Sequence, residues 1–215
     1  LKTYIGKATL ISGDHPILID AFLENAYEFD VDALCDGEEV FVAGIMQHIE
    51  EAGIHSGDSA CVIPAYELTS KAREFIENYT HKLSLELNTI GLINIQFAMK
   101  KDVVYVIEVN PRASRTVPFI SKVIDLPLAK LAAQLAVGKK LKDMDLNMYK
   151  QNGLIAVKKP VFPFNKFPKQ NVFLSPEMKS TGEVVGFDTY LGSAYAKAEL
   201  GAGNSLPIAG SVFIS

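Results

Sequence analysis

Cysteine is scarce in this chain. Cys35 and Cys61 are the only two in 215 residues, too few for a disulfide framework or a cysteine-ligated cluster, and they fit a reducing compartment. No apolar run approaches the roughly 20 residues needed to cross a bilayer, and no signal peptide is visible, so the expected location is cytoplasmic. Positive charge is not in excess. Lys and Arg number 21 against 25 Asp and Glu, a formal net charge of −4, which argues against a broad nucleic-acid-binding surface. Internal repeats and low-complexity tracts are also absent. What is present is ordinary globular composition, 48% hydrophobic and 21% charged, long enough for one large domain or two small ones.

The pattern of residues predicts an α/β (α+β) fold. Ile17 to Asp20 reads as a short strand or linker. Ala26 to Asp36 alternates, with Tyr27, Phe29, Val31 and Ala33 on one face and Glu28, Asp30 and Asp32 on the other, as in a strand. Asp36-Gly37-Glu38-Glu39 then turns the chain into a returning strand, Val40 to Gln47. Thr69 or Ser70 caps a helix through Leu87, with Ala72, Phe75, Ile76, Tyr79, Leu83 and Leu87 on one stripe. Pro127 opens another helix through Val137, closed by Gly138. Pro160, Pro163 and Pro168 predict an extended, irregular segment from Val157 to Pro168. Ser193 to Leu200 reads as a short helix and Ala202 to Pro207 as a linker. The chain begins with Leu1 and ends, at Gly210 to Ser215, on what looks like a strand just starting, so we expect a piece of a longer polypeptide.

The chemistry concentrates between Gly91 and Arg115. Gly91 to Phe97 and Val106 to Arg112 read as adjacent strands separated by a turn at Lys100, Lys101 and Asp102. Glu108 and Asn110 point to the same face. A three-residue loop from Lys101 to Val103 would set Gln96 opposite Glu108. Three oxygen-bearing side chains would then meet on one patch, the type of donor set that suits Mg²⁺ alongside phosphates. Arg112 and Arg115 follow at once, and metal with arginine is the equipment of phosphoryl transfer. A Glu-x-Asn on a strand can equally face water. The apolar neighbours Ile93, Ile95, Phe97, Val104, Val106 and Val109 favour partial burial instead, and a buried carboxylate needs a partner or a cation.

Two other features bear on function. The loop from Glu50 to Ser59 holds Gly53, His55, Ser56 and Gly57, and its exposed N–H groups can form an anion-binding concavity, although a plain turn explains it as well. His55 fits a structural hydrogen-bonder better than a proton carrier, since phosphoryl transfer needs no strong base. Glu28, on the polar face of its strand, can accept from ribose hydroxyls or simply be solvated.

Together, Glu28-Phe29-Asp30-Val31-Asp32, Gly53-Ile54-His55-Ser56-Gly57-Asp58-Ser59, Gln96 and Glu108-Val109-Asn110-Pro111-Arg112-Ala113-Ser114-Arg115 resemble the ATP-grasp module of the carbamoyl-phosphate synthetase large-chain family. The resemblance covers nearly the whole chain, and the His-Ser-Gly-Asp-Ser loop is its narrowest part. Ser56, Arg115-Thr116-Val117-Pro118-Phe119, Pro163 to Pro168 and Pro176 to Glu183 resemble the second, carbamoyl-phosphate-forming half of that chain.

The resemblance implies an ATP-grasp fold, with a mixed or antiparallel sheet flanked by helices and an irregular C-terminal extension. Residues 1–200 would be the synthetase domain, lacking its N-terminal part. Residues 201–215 would be a linker and the first strand of a methylglyoxal-synthase-like allosteric domain. It implies phosphorylation of carbamate by ATP, serving arginine or pyrimidine synthesis. Gln96, Glu108 and Asn110 would hold Mg²⁺ or Mn²⁺, and Arg112 and Arg115 would act on the transferring phosphoryl group and the anionic carbamate. Glu28 would bind ribose. Gly53, Ile54, His55 and Ser56 would line the nucleotide, and Ala21 and Leu23 would meet adenine. Glu50, the Ile54 carbonyl and Ser59 would hold K⁺. The parent would be oligomeric and take ammonia from a glutaminase small subunit, and this piece alone would be inactive. Another ATP-grasp ligase, such as a carboxylase, and a non-catalytic regulatory or assembly module are the alternatives.

Overall fold

The computed structural model describes residues 2–13, 15–146, 153–166 and 172–213. The elements run α1 (Lys2–Ser12), β1 (Tyr27–Asp36), β2 (Val40–His48), β3 (Cys61–Ile63), α2 (Ser70–Glu86), β4 (Ile90–Lys100), β5 (Val103–Asn110), α3 (Val117–Ile124), α4 (Leu128–Ala136), β6 (Ile155–Val161), β7 (Gly182–Asp188) and α5 (Leu191–Gly201). The strands form one seven-stranded sheet in the order β5-β4-β1-β2-β3-β6-β7. Every neighbouring pair is antiparallel.

β1 is buried from Glu28 to Asp36, so its alternation separates two packed faces rather than core from water. Phe29, Val31 and Ala33 join Ile93, Ile95 and Phe97 of β4 under α2. On the opposite face, Leu34 and Met46 pack with Phe119, Ile120 and Ile124 of α3 and Leu128 and Leu135 of α4. Glu28, Asp30 and Asp32 lie on this second face too, beyond the end of its apolar cluster.

Thr69 caps α2, its side chain accepting from Ala72 N–H. The buried positions of the helix are Ala72, Ile76, Thr80 and Ser84, while Phe75 and Leu87 of the predicted stripe are exposed. Thr80 and Ser84 are tolerated in the core because their hydroxyls donate back to the carbonyls of Ile76 and Thr80, at 2.8 and 2.7 Å.

The β4–β5 connection is tighter than a three-residue loop. Lys100 pairs directly with Val103, leaving Lys101 and Asp102 as a two-residue turn with φ of 51° and 62°, the left-handed pair that matches strand twist. Farther along, Phe97 pairs with Val106 but Gln96 with Glu108, so Ile107 is the extra residue of a bulge. The bulge restores the register that the shorter turn would have lost, and Gln96 does face Glu108.

From Val157 to Val161 the backbone is extended as expected, but regular rather than irregular. Residues 155–161 form a regular strand between β3 and β7. Pro160 is accommodated because it lies past the last β3 pairing, Cys61 with Lys158, where β6 has a neighbour on one side only. Pro168 lies outside the described residues. From Ala202 to Phe213 no helix or strand forms.

α5 sits unusually close to β7. A Cβ added at Gly186 would stand 2.1 Å from the Ala194 carbonyl oxygen and 2.6 Å from the Ala198 nitrogen, both backbone atoms that move only with the helix. Gly186→Ala is therefore expected to lower stability by about 3 kcal/mol. Urea unfolding of the chain with and without the substitution checks this.

Candidate functional site

A cavity of about 1100 Å³ opens on the sheet face that carries Glu28, and its lining includes Asn94, Gln96, Glu108, Asn110, Arg112 and Arg115. Ala21 and Leu23, from the segment before β1, form another side, and Gly53, Ile54, His55 and Ser56 a third. Glu50 and Ser59 are not part of the lining; they stand behind the glycine loop, where Glu50 accepts from Ala60 N–H at 2.6 Å.

Strand register assembles the oxygen donors. Gln96 faces Glu108 across the β4–β5 ladder, and Asn94 faces Asn110. On the other side of β4, Gln96 faces Asp30 and Asn94 faces Asp32. Glu108 is exposed rather than partly buried, because β5 is the edge of the sheet and the cavity is open along it. The described residues hold no cluster of three His, Cys, Asp or Glu suited to a metal. The donor set is one carboxylate with amide carbonyls, and it fits a hard divalent cation that completes its shell with phosphate oxygens and water. Part of the capacity of Asn110 is already used, since its Oδ1 accepts from Arg112 at 3.3 Å.

Both arginines sit on the rim. Arg112 also donates to the Ala113 carbonyl at 3.1 Å, and Arg115 contacts the Met178 sulfur. Among the described residues neither pairs with a carboxylate at ion-pair distance. Their charge is free to meet an anion in the cavity.

Beneath the lining runs a row of buried charges, of which only Glu28 is part of the lining itself. His48 from β2 places Nε2 2.9 Å from Asp30 and Nδ1 3.8 Å from Glu28. Burial disfavours the imidazolium, but the Cys61 sulfur and the Asp30 carboxylate outweigh it and hold His48 well above its ordinary pKa. Burial raises the Glu28 carboxyl, and His48 and the Gly53 N–H draw it back. That N–H donates to Glu28 at 3.1 Å and ties the glycine loop to β1. Gly53 needs its glycine: φ is +99°, and Phe22 lies where a Cβ would go.

Among the described residues no cation pairs with Asp32. Its carboxylate accepts from Asn94 at 3.0 Å, Ser114 at 2.7 Å and Thr116 at 2.5 Å. Burial dominates and the carboxyl is pushed up to about 6, with the Thr116 and Ser114 hydroxyls opposing it. These bonds anchor the stretch after β5 that holds Arg112 and Arg115.

The glycine loop is braced from behind. His55 Nδ1 accepts from Gly57 N–H at 2.9 Å, so in the neutral ring the proton sits on Nε2. Lys158 of β6, fully buried, donates to the Ser56 carbonyl at 2.8 Å. Among the described residues the buried Ser59 hydroxyl has no hydrogen-bond partner, an orphaned donor-acceptor next to the Glu50 anchor.

Sequence reasoning did not single out Asp30, Asp32, His48, Asn94, Ser114, Thr116 or Lys158. Asp30 and Asp32 share the alternating face of Glu28 and Asn94 precedes Gln96 by two positions, so their side of the strand was legible. The partners on β2, β6 and the loop after β5 depend on tertiary pairing.

A family model for the carbamoyl-phosphate synthase L chain, ATP binding domain, matches residues 1–144. The carbamoyl phosphate synthase large chain of Archaeoglobus fulgidus is 58% identical over 215 residues, all of this chain and 20% of that protein. The large chains of Methanosphaerula palustris and Acidobacterium capsulatum are 55% and 56% identical over 100% and 99% of this chain, again 20% of their own length. This chain thus spans about a fifth of those relatives. Among solved structures, the biotin carboxylase domain of a thermophilic 2-oxoglutarate carboxylase, bound to bicarbonate, superposes with a TM-score of 0.63 at 15% identity, covering 87% of this chain and 48% of that one. The biotin carboxylase domain of a single-chain bacterial carboxylase gives 0.59 at 18% identity, covering 75% of this chain and 37% of that one. The fold is ATP-grasp.

The buried Asp32 has a measurable consequence. An acid whose folded pKa lies above its ordinary 3.8, here at about 6, binds its proton more tightly in the folded chain, so its contribution to stability falls as pH rises from about 4 to 6 and is flat above that window. The shift corresponds to roughly 3 kcal/mol. Asp32→Asn cannot ionise. Its stability relative to the unsubstituted chain should rise across pH 4–6 by up to that amount and level off above, as read by urea unfolding at a series of pH values.

Proposed function

The chain belongs to the carbamoyl-phosphate synthase large-chain ATP-binding family, and from that premise we propose that it is part of the half that phosphorylates carbamate with ATP. The observation that supports this most is the register of β4 with β5, which puts Gln96, Glu108 and Asn110 on one wall of the cavity with Arg112 and Arg115 beside them. The assignment to the carbamate half rests on Ser56, on Arg115 to Phe119 and on Pro176 to Glu183. The proposed reaction joins the carbamate oxygen to the γ-phosphorus of ATP, breaks the bond to the β-phosphate oxygen and yields carbamoyl phosphate and ADP.

In this reading, Glu28 accepts from the ribose hydroxyls. Ala21 and Leu23 receive the adenine. The N–H groups of Ile54 and Ser56 face the phosphates, those of Gly53 and His55 being engaged by Glu28 and the Ser175 carbonyl, and the Nε2–H of His55 offers one more donor. Arg112 and Arg115 steady the anionic carbamate and the charge that develops on the transferring phosphoryl group. Gln96, Glu108 and Asn110 would hold Mg²⁺ or Mn²⁺, which neutralises phosphate charge when bound. Glu50, the Ile54 carbonyl and the orphaned Ser59 hydroxyl would hold K⁺. The parent enzyme would be cytoplasmic and oligomeric, with a glutaminase partner, and would serve arginine or pyrimidine synthesis. No described helix is long and apolar enough to cross a membrane.

Similarity to biotin carboxylases extends to the fold alone, at 15–22% identity, whereas the carbamoyl phosphate synthases reach 53–58%, so the carboxylase alternative has less support. Intact Gln96, Glu108, Asn110 and Arg112 weigh against a purely regulatory module.

The test uses the full-length parent carrying Glu108→Gln. Formation of ATP from carbamoyl phosphate and ADP should drop at least about 100-fold, as expected on loss of a transition-state charge interaction. Bicarbonate-dependent ATP hydrolysis should persist. The opposite pattern would move the segment to the bicarbonate half, and no change in either would end the metal-site assignment.

A further inference from the structure

Residues 172–181 have no helix or strand, yet they are fastened to the glycine loop at several points. The Ser175 carbonyl accepts from His55 N–H at 3.0 Å. Both carboxylate oxygens of Asp58 are engaged from the same segment, Oδ2 by Lys179 N–H and Oδ1 by Ser180 N–H, each at 2.8 Å. The Ser180 hydroxyl donates to the Gly57 carbonyl at 2.9 Å. Met178 lies across Gly57, where an added Cβ would stand 2.8 Å from its sulfur, and the same sulfur touches Arg115.

Asp58 is fully buried. A buried carboxylate must be compensated, and here the compensation comes from backbone N–H groups 121 and 122 residues along the chain. The strap supplies the donors that this carboxylate accepts from, so loop and strap hold each other. The loop presents Ile54, His55 and Ser56 to the cavity, and the strap also contributes Pro176 to its wall. We propose that Asp58 is a positioning residue that latches Ser175–Ser180 onto the glycine loop, and that the latch fixes both the anion-facing N–H groups and, through Met178, the guanidinium of Arg115. Asp58 reaches no reacting atom itself; it acts through the strap. The catalytic consequence rests on the proposed phosphorylation of carbamate, while the latch stands on geometry alone.

The experiment uses the full-length parent with Asp58→Asn, which keeps the size of the side chain and one acceptor but removes the charge and turns an amide toward a backbone N–H. Displacing aligned groups by about an ångström costs up to roughly 100-fold in rate. ATP formation from carbamoyl phosphate and ADP should therefore slow by roughly 10- to 100-fold in kcat, with a smaller rise in KM for ADP. Bicarbonate-dependent ATP hydrolysis should stay within twofold and serves as the folding control. Ser180→Ala, which removes only the bond to Gly57, should shift kcat in the same direction by a smaller factor. Hydrogen exchange supplies a readout independent of activity: the Lys179 and Ser180 amides should be protected in the unsubstituted enzyme and lose protection in Asp58→Asn while β1 and β4 keep theirs. Unprotected amides at 179 and 180 in the unsubstituted enzyme would overturn the latch. Unchanged ATP formation in Asp58→Asn, in an enzyme where Glu108→Gln abolishes it, would overturn the positioning role alone. If Glu108→Gln also changes nothing, the functional reading fails, and the exchange data still decide the latch.

Discussion

The pairing of β4 with β5 is the constraint on which the site depends. A strand has a period of two, so a slip of one residue exchanges its faces. The left-handed turn at Lys101 and Asp102 closes the hairpin tightly and alone would set Glu108 opposite Ile95, on the face packed under α2. The bulge at Ile107 adds the residue that returns Glu108 to Gln96 and Asn110 to Asn94. The turn and the bulge are separate local features, and only their combination aligns the donors. Bulges commonly stand beside functional sites for this reason: they re-aim side chains without altering the rest of the sheet.

Behind this ladder the protein buries charge at a cost. Glu28, Asp30 and Asp32 occupy successive inward positions on one strand, and their solutions differ. Glu28 and Asp30 share His48. Among the described residues Asp32 has neutral donors only, and burial pushes its carboxyl up. Each solution also ties a separate piece of chain to the sheet. Glu28 holds Gly53, Asp32 holds the stretch before α3, and Asp58 holds the strap before β7. Buried carboxylates thus serve as tethers for the loops that bound the cavity, which explains why so polar a patch sits beside an apolar core.

Much of this was legible in the sequence, and the exceptions have physical causes. The β1–β2 hairpin, α2, the central strand pair and α4 follow from alternation, capping and punctuation by Gly and Pro. Ala21, Leu23, Glu28, Gly53 to Ser56, Gln96, Glu108, Asn110, Arg112 and Arg115, read from motifs, come to one cavity. The three residues of β3 were too short to signal a strand. β6 was hidden by Pro160, which reads as a breaker unless its position at the end of the β3 pairing is known. Thr80 and Ser84 disguised the buried stripe of α2, because hydroxyls satisfied within a helix look polar in sequence and behave as core. His48 and Lys158 gave no signal, since a buried cation is defined by the groups that surround it after folding.

The central claim, that Gln96, Glu108 and Asn110 bind a divalent cation together with a nucleotide, is tested most directly by paramagnetic broadening. The side-chain amide signals of Gln96 and Asn110 would be recorded with ATP alone and then with substoichiometric Mn²⁺, a measurement that tolerates weak binding. The account predicts selective broadening of these two signals that requires ATP and is displaced by Mg²⁺, with the Gln47 amide on the opposite face unaffected. Uniform broadening, or broadening that leaves Gln96 and Asn110 sharp, would contradict it.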